Sequence, residues 1–164
     1  MACCQRYGRA KTTIDDVARA AGVSRALVYA HFGSRQGLLR CLGQAVIGEH
    51  REITDDILRS DLRASGKIAK ILALCANGKD DLPGADFLDK FASCGGENAI
   101  HYQAMLSEAL VRLVGRRDLA ELLVLSTRGL QWDQPSRLIL CKRIKLLAEL
   151  GWQSEQSHRQ SGEQ

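Results

Sequence analysis

The sequence predicts an all-α protein, on three observations. Of its 164 residues only 2 are proline and only 5% are aromatic, while alanine and leucine are abundant, a composition that favours helices. Apolar residues recur along most of the chain at the spacing of helices that bury one face. Glycines and N-capping residues stand at the borders of these segments, where helices are expected to begin and end.

Two short helices joined by a tight turn are predicted within residues 12–39, TTIDDVARAAGVSRALVYAHFGSRQGLL. Thr13 is a suitable N-cap, with Asp16 placed three residues on to strengthen the helix start. Gly22 can take the left-handed conformation that ends the first helix, and Ser24 caps the second. Helix, glycine turn and helix form the helix-turn-helix unit, whose second helix lies in the major groove of DNA.

The residues of this stretch follow a more specific pattern than the generic helix-turn-helix. The pattern T-T-I-D-D-V-A-x-x-A-G-V-S-x-x-x-V-Y-x-H-F-x-S-R-x-x-L closely resembles the DNA-binding domain of TetR-type transcriptional regulators, over residues 7–42. The resemblance implies a helix-turn-helix head followed by an α-helical ligand-binding and dimerisation bundle. It also implies a ligand-responsive repressor that binds a palindromic operator in double-stranded DNA as a homodimer.

Three regions are expected on this basis. Residues 1–45 form the DNA-binding head, residues 46–152 form the bundle, and residues 153–164 form a polar, disordered tail. TetR-like proteins have a full helix before the two motif helices, whereas residues 1–11 offer only about two turns here. A shortened first helix is therefore expected.

The positive charge lies in the head. The chain has a formal net charge of +4, and residues 1–40 hold seven Lys or Arg against two Asp. The remaining residues hold 16 basic and 17 acidic side chains, so the excess comes from the segment with the motif. Basic clusters are common on protein surfaces, but one that coincides with a helix-turn-helix suits phosphate binding.

Eight residues are candidates for DNA contact: Thr13, Ser24, Arg25, Ala26, Leu27, Tyr29, His31 and Arg35. Arg25 starts the second helix, where it either reads guanine, holds phosphate or is an ordinary solvated charge. Ala26 and Leu27 occupy neighbouring reading positions, and they can touch a thymine methyl but form no hydrogen bonds.

The other candidates are assigned to the DNA backbone. The resemblance implies phosphate contacts for Tyr29, His31 and Arg35, although Tyr29 could instead cover the small core and His31 could support the helix end. Thr13 and Ser24 are fully explained as N-caps, and capping leaves N–H groups free to face phosphate, so both roles can hold together.

The bundle is predicted from apolar periodicity in residues 36–59, 67–76, 85–92, 97–114, 119–127 and 136–150. The last two of these helices are rich in leucine. They either form intrachain core or pair with a second copy in a C2 dimer, and the resemblance favours the dimer.

A pocket for a small apolar effector would need a few polar or large groups among aliphatic helices. The candidates for it are His101, Tyr102, Met105 and Trp132. For each of them, ordinary core or surface packing is the alternative explanation.

Other classes of function find little support. The six cysteines form no C-x-x-C pair and the four histidines are scattered, so we expect no metal site, no cofactor and no catalytic site. Without a bilayer-length apolar run or a signal peptide, we expect a cytoplasmic protein with no membrane partner. The alternative is a degenerate helix-turn-helix protein that acts through protein–protein interaction without DNA binding, as the short first helix and Ala26-Leu27 suggest.

Overall fold

The computed structural model describes residues 13–76, 97–130 and 135–162. These ranges contain seven helices and no strand, so the prediction of an all-α fold is confirmed. The helices are α1 (Ile14–Ala21), α2 (Arg25–Phe32), α3 (Arg35–Arg59), α4 (Ala64–Cys75), α5 (Glu97–Val114), α6 (Arg117–Gly129) and α7 (Arg137–Gly162). The predicted first helix, the predicted helix at 85–92 and Trp132 lie outside the described residues.

The head has a small core of its own. Ile14 and Ala18 of α1, Val28 of α2 and Leu38 of α3 are buried together. The two motif helices therefore rest on the first turns of α3. Because the core is small, the geometry of the head depends strongly on the caps and turns at its helix ends.

The larger core lies in the body. It is built from α4, α5, α6 and α7, together with the C-terminal half of α3. Ile68, Ile71, Leu72, Leu106 and Leu110 are almost completely buried there. With 25 residues, α3 is about 37 Å long and contributes side chains to both cores. It is one continuous rod from head to body, so the expected boundary at residue 45 falls inside a helix.

The last helix is longer than predicted. This helix was predicted over residues 136–150 and residues 153–164 were expected to be disordered, but α7 continues to Gly162, so the prediction is wrong for residues 153–162. Gly151 and Glu155 are both buried and lie four positions apart, so one face of α7 continues to pack past the predicted end. A Cβ on Gly151 would lie 2.9 Å from Cδ2 of Leu123. The glycine therefore allows α6 and α7 to approach closely.

None of the helices in the described ranges is long and apolar enough to cross a bilayer.

Candidate nucleic-acid interface and body cavities

The start of α1 is held by a reciprocal cap. Oγ1 of Thr13 accepts from the N–H of Asp16 at 3.2 Å, and Oδ2 of Asp16 accepts from the N–H of Thr13 at 2.9 Å. The hydroxyl of Thr13 also donates to Asp16, and these bonds lower the pKa of the Asp16 carboxyl. The predicted N-cap is thus confirmed as a full capping box.

The turn between α1 and α2 depends on Gly22. Its φ is +67°, in the left-handed region that side chains rarely adopt, as predicted. On the far side of the turn, Oγ of Ser24 accepts from the N–H of Leu27 at 3.1 Å. Both ends of the turn are therefore fixed by local hydrogen bonds and backbone conformation.

One side of α2 is buried and the other is open. Val28 is buried in the head core and Phe32 packs against it. Ala26, Leu27 and Ala30 lie on the opposite side of the helix and are exposed. An exposed second helix supported by α1 and α3 is the arrangement required to enter a DNA groove.

The first residue of α2 contacts the first helix of the motif. Nε of Arg25 lies 2.7 Å from Oδ1 of Asp15 in an ion pair between two partly exposed side chains. Arg19 similarly lies 3.7 Å from Asp16. A phosphate or a base that approached Arg25 would therefore compete with the carboxylate of Asp15, a residue that the sequence analysis did not single out.

The candidates near the end of α2 are accessible. Tyr29 is 44% exposed and is not among the side chains that form the head core. His31 is exposed and meets the ring of Phe32 edge to face, with centroids 4.6 Å apart. Arg35 is also exposed, directly after Ser34, whose Oγ accepts from the N–H of Gly37. The three side chains thus lie at the surface around one end of the recognition helix.

These features define residues 13–40 as a helix-turn-helix unit of the DNA-binding class. Residues 1–42 match the family model of bacterial regulatory proteins, tetR family. This match over the head agrees with the resemblance to TetR-type regulators and supports a DNA-binding transcriptional regulator. Neither the comparison with curated proteins nor the comparison with solved structures found a match.

In the body, a buried polar network joins three helices. The hydroxyl of Tyr102 in α5 donates to the carbonyl oxygen of Leu74 in α4 at 3.1 Å. Nδ1 of His50 in α3 lies 2.6 Å from the same hydroxyl. Since that hydroxyl has only one proton, Nδ1–H of His50 donates to it. Burial lowers the pKa of His50 and raises the pKa of Tyr102.

His50 was not among the predicted functional residues. The helical spacing of the sequence could have indicated that His50 is buried, because it lies four residues after Val46 and seven before Ile57, both of which are buried on α3. A histidine in an apolar stripe needs a polar partner, but the sequence does not say which residue provides it.

The predicted pocket residues are divided between two environments. His101 and Met105 line a cavity of about 400 Å³ between α3 and α5. Four charged residues also belong to its lining: Arg51, Asp55, Glu108 and Arg112. Tyr102 is not part of this lining, because it lies about 100° around α5 from His101 and its hydroxyl contacts His50. Trp132 lies outside the described residues. The structure therefore brings only two of the four candidates to one cavity.

A second cavity of about 540 Å³ lies between α4 and α7. Leu62, Ala69 and Ile144 are among its apolar lining residues, and Lys70 and Lys145 are among the charged ones. Sequence analysis did not predict this cavity, because its two walls are separated by about 75 residues of chain. Among the residues that the structure describes, no group of three His, Cys, Asp or Glu side chains could hold a metal ion.

Proposed function

We propose that the protein is a ligand-responsive transcriptional repressor that binds a palindromic operator as a homodimer in the cytoplasm. The single observation that carries the proposal is the geometry of α2. Its start is capped by Ser24, its inner side is packed through Val28, and its outer side is exposed. A short helix presented in this way can enter the major groove with its N-terminal residues on base edges.

The proposed contacts with the DNA backbone surround this helix. Tyr29, His31 and Arg35 are exposed at its C-terminal end, and Arg25 stands at its start. Phosphate contacts fix the position and register of a protein on the duplex. Thr13 and Ser24 support this arrangement by holding the starts of α1 and α2, whose N–H groups favour nearby anions.

A dimer is supported by the outward sides of the last two helices. Six large apolar side chains on α6 and α7 are exposed: Leu122, Leu125, Leu138, Ile139, Leu146 and Leu150. Helical spacing places them opposite or beside the buried residues Leu123, Ile144 and Ala148 of the same helices. Apolar surface of this extent favours a partner. A second copy related by a two-fold axis would pair the same surface with itself, in a four-helix interface.

The proposed regulation uses α3. A small apolar effector in the cavity between α3 and α5 would contact His101 and Met105, with Tyr102 close by and Trp132 as a further candidate. Since α3 continues from this cavity into the head, a shift of α3 would change the distance between the two recognition helices of a dimer. The effector would shift the equilibrium between a DNA-binding conformation and a conformation that does not bind DNA only to the extent that its affinities for the two conformations differ.

The test is a fluorescence-anisotropy titration with duplex DNA at 50 and 200 mM salt. We expect binding that weakens steeply with salt, because each phosphate contact releases counterions. Arg35→Ala should reduce the slope of log affinity against log salt by about 1. Arg59→Ala, an exposed arginine at the other end of α3, is the matched control and should leave the slope unchanged.

Absence of any salt-dependent binding would contradict DNA binding. A folded protein with that result would instead fit the alternative, a helix-turn-helix protein that acts through protein–protein interaction.

A further inference from the structure

We propose that Leu27 determines the sequence of the operator by contact with the C5-methyl groups of thymine. The inference rests on the proposed DNA binding and specifies how the sequence is read. Leu27 lies on the eight-residue helix α2, and 56% of its surface is exposed. No core cluster in the described part of the chain includes Leu27.

The surface around Leu27 is apolar and small. Ala26 and Ala30 lie beside it on the outer side of α2 and are also exposed. Two methyl side chains next to a leucine allow the helix backbone to approach a groove closely, and the leucine then projects furthest. Because Leu27, Ala26 and Ala30 are exposed, burial of this apolar surface against a ligand would be favourable.

The position of Leu27 in the helix suits base contact. Its N–H donates to Oγ of Ser24 at 3.1 Å, which places it in the first turn of α2. In helix-turn-helix proteins the N-terminal residues of the recognition helix meet the base edges. Leu27 is therefore presented by a turn whose conformation is fixed before DNA arrives.

Few side chains at the start of α2 can recognise bases by hydrogen bonding. Of Arg25, Ala26 and Leu27, only Arg25 has a side chain that can form hydrogen bonds, and its Nε is 2.7 Å from Asp15. In the major groove the bases present hydrogen-bonding groups and one apolar group, the C5-methyl of thymine. Apolar contact with that methyl is the recognition that an exposed leucine can provide.

The experiment selects tightly bound duplexes from a random pool with the wild-type dimer, and then replaces each thymine in turn with deoxyuridine. This substitution removes the C5-methyl group and leaves the base pairing unchanged. We expect at least one thymine in each half-site at which the wild type binds the uracil duplex about fourfold more weakly, the effect of one buried carbon. Leu27→Ala should bind the thymine and uracil duplexes equally.

The matched control is Ile100→Ala, which shortens an exposed apolar side chain on α5, outside the helix-turn-helix, and should keep the uracil effect. Thermal unfolding of Leu27→Ala should follow the wild type, because the side chain is not packed.

Equal binding of thymine and uracil duplexes by the wild type, or an unchanged uracil effect in Leu27→Ala, would overturn the inference while DNA binding stands. A large loss of thermal stability in Leu27→Ala would also overturn it, since Leu27 would then be a packing residue. Failure to bind any duplex would refute the proposed function itself.

Discussion

At the scale of single residues, the head depends on short-range hydrogen bonds. Thr13, Ser24 and Ser34 each accept from a backbone N–H three residues ahead. Each bond satisfies a donor that the first turn of a helix would otherwise leave open. In α2 the cap does more than stabilise, since it holds the turn that presents Leu27.

Replacement of Ser24 separates these roles. Ser24→Ala should lower the free energy of unfolding of the head by about 1 kcal/mol, because the N–H of Leu27 loses its acceptor. Ser24→Asp restores an acceptor and should keep stability, but its charge should weaken DNA binding by repulsion from phosphate. Urea denaturation and DNA titration of the two variants measure the effects. Equal stability of Ser24→Ala and the wild type would contradict the role of the cap.

His50 is the residue whose protonation affects stability most directly. It is buried, and desolvation lowers its pKa below the usual 6.5, against a smaller raising effect of Glu49. The unfolded chain therefore binds more protons than the folded one between the lowered pKa and about 6.5. Stability should rise with pH across this window, level off above it, and be lost as pH falls.

The prediction is tested with His50→Asn, in which the amide can still donate to the Tyr102 hydroxyl but does not titrate. We expect the free energy of unfolding of the wild type to increase from pH 5 to pH 7, and that of the variant to increase less. His101→Asn, at an exposed position, should retain the wild-type dependence. A variant slope identical to that of the wild type would exclude His50 as the source.

At the scale of elements, two helical glycines have opposite roles. Gly48 lies in α3 with nothing near the position of a Cβ. Gly151 lies in α7, where a Cβ would be 2.9 Å from Cδ2 and 3.1 Å from Cδ1 of Leu123. Leu123 is itself only 2% exposed, so it has little space in which to move.

Alanine at each glycine makes a matched pair. Gly48→Ala should raise the free energy of unfolding by about 0.5–1 kcal/mol, because alanine loses less conformational freedom in a helix. Gly151→Ala gains the same stabilisation from reduced conformational freedom, but it overpacks the contact of α6 with α7, which costs about 1–3 kcal/mol. We therefore expect net destabilisation of about 1 kcal/mol, measured by urea denaturation. Stabilisation by both substitutions would show that the helices separate easily.

At the scale of the whole molecule, one rod connects two cores of unequal size. α3 contributes Leu38 to the head core and Ile57 to the body core. Asn98 of α5 adds a bond to this rod, because its Nδ2 donates to the carbonyl oxygen of Arg40. In the proposed regulation, a change in the body would reach the head through α3, and the exposed apolar side chains of α6 and α7 would join the two molecules of the proposed dimer.

The proposed dimer predicts the effect of one charge. Leu146→Glu should shift the protein from dimer to monomer, because a carboxylate would be buried in an apolar interface. Ile100→Glu makes the same change at an exposed site on α5 and should leave the dimer intact. Sedimentation velocity measures both variants, and a dimer that withstands Leu146→Glu would place the interface elsewhere. DNA affinity of the monomeric variant should fall, since only one half-site is then engaged at a time.

The sequence by itself determined the features that depend on residues three or four apart. The capping box of Thr13 and Asp16, the left-handed Gly22 and the cap at Ser24 follow from side chains that meet their partners within one turn. The family resemblance lies in the same short stretch. These signals suffice for the all-α class, the helix-turn-helix and the candidate DNA-binding residues.

Only the tertiary structure decided the contacts between distant residues. His50 and Tyr102 are 52 positions apart, and nothing local to either one identifies its partner. Gly151 has the appearance of a helix end in sequence, yet α7 continues to Gly162, and the glycine lies where a Cβ would be 2.9 Å from Cδ2 of Leu123. That His101 and Met105 line the cavity while Tyr102 contacts His50 depends likewise on how α5 packs against α3. Such outcomes depend on how whole helix surfaces fit together, which is a property of packing and not of neighbours in the chain.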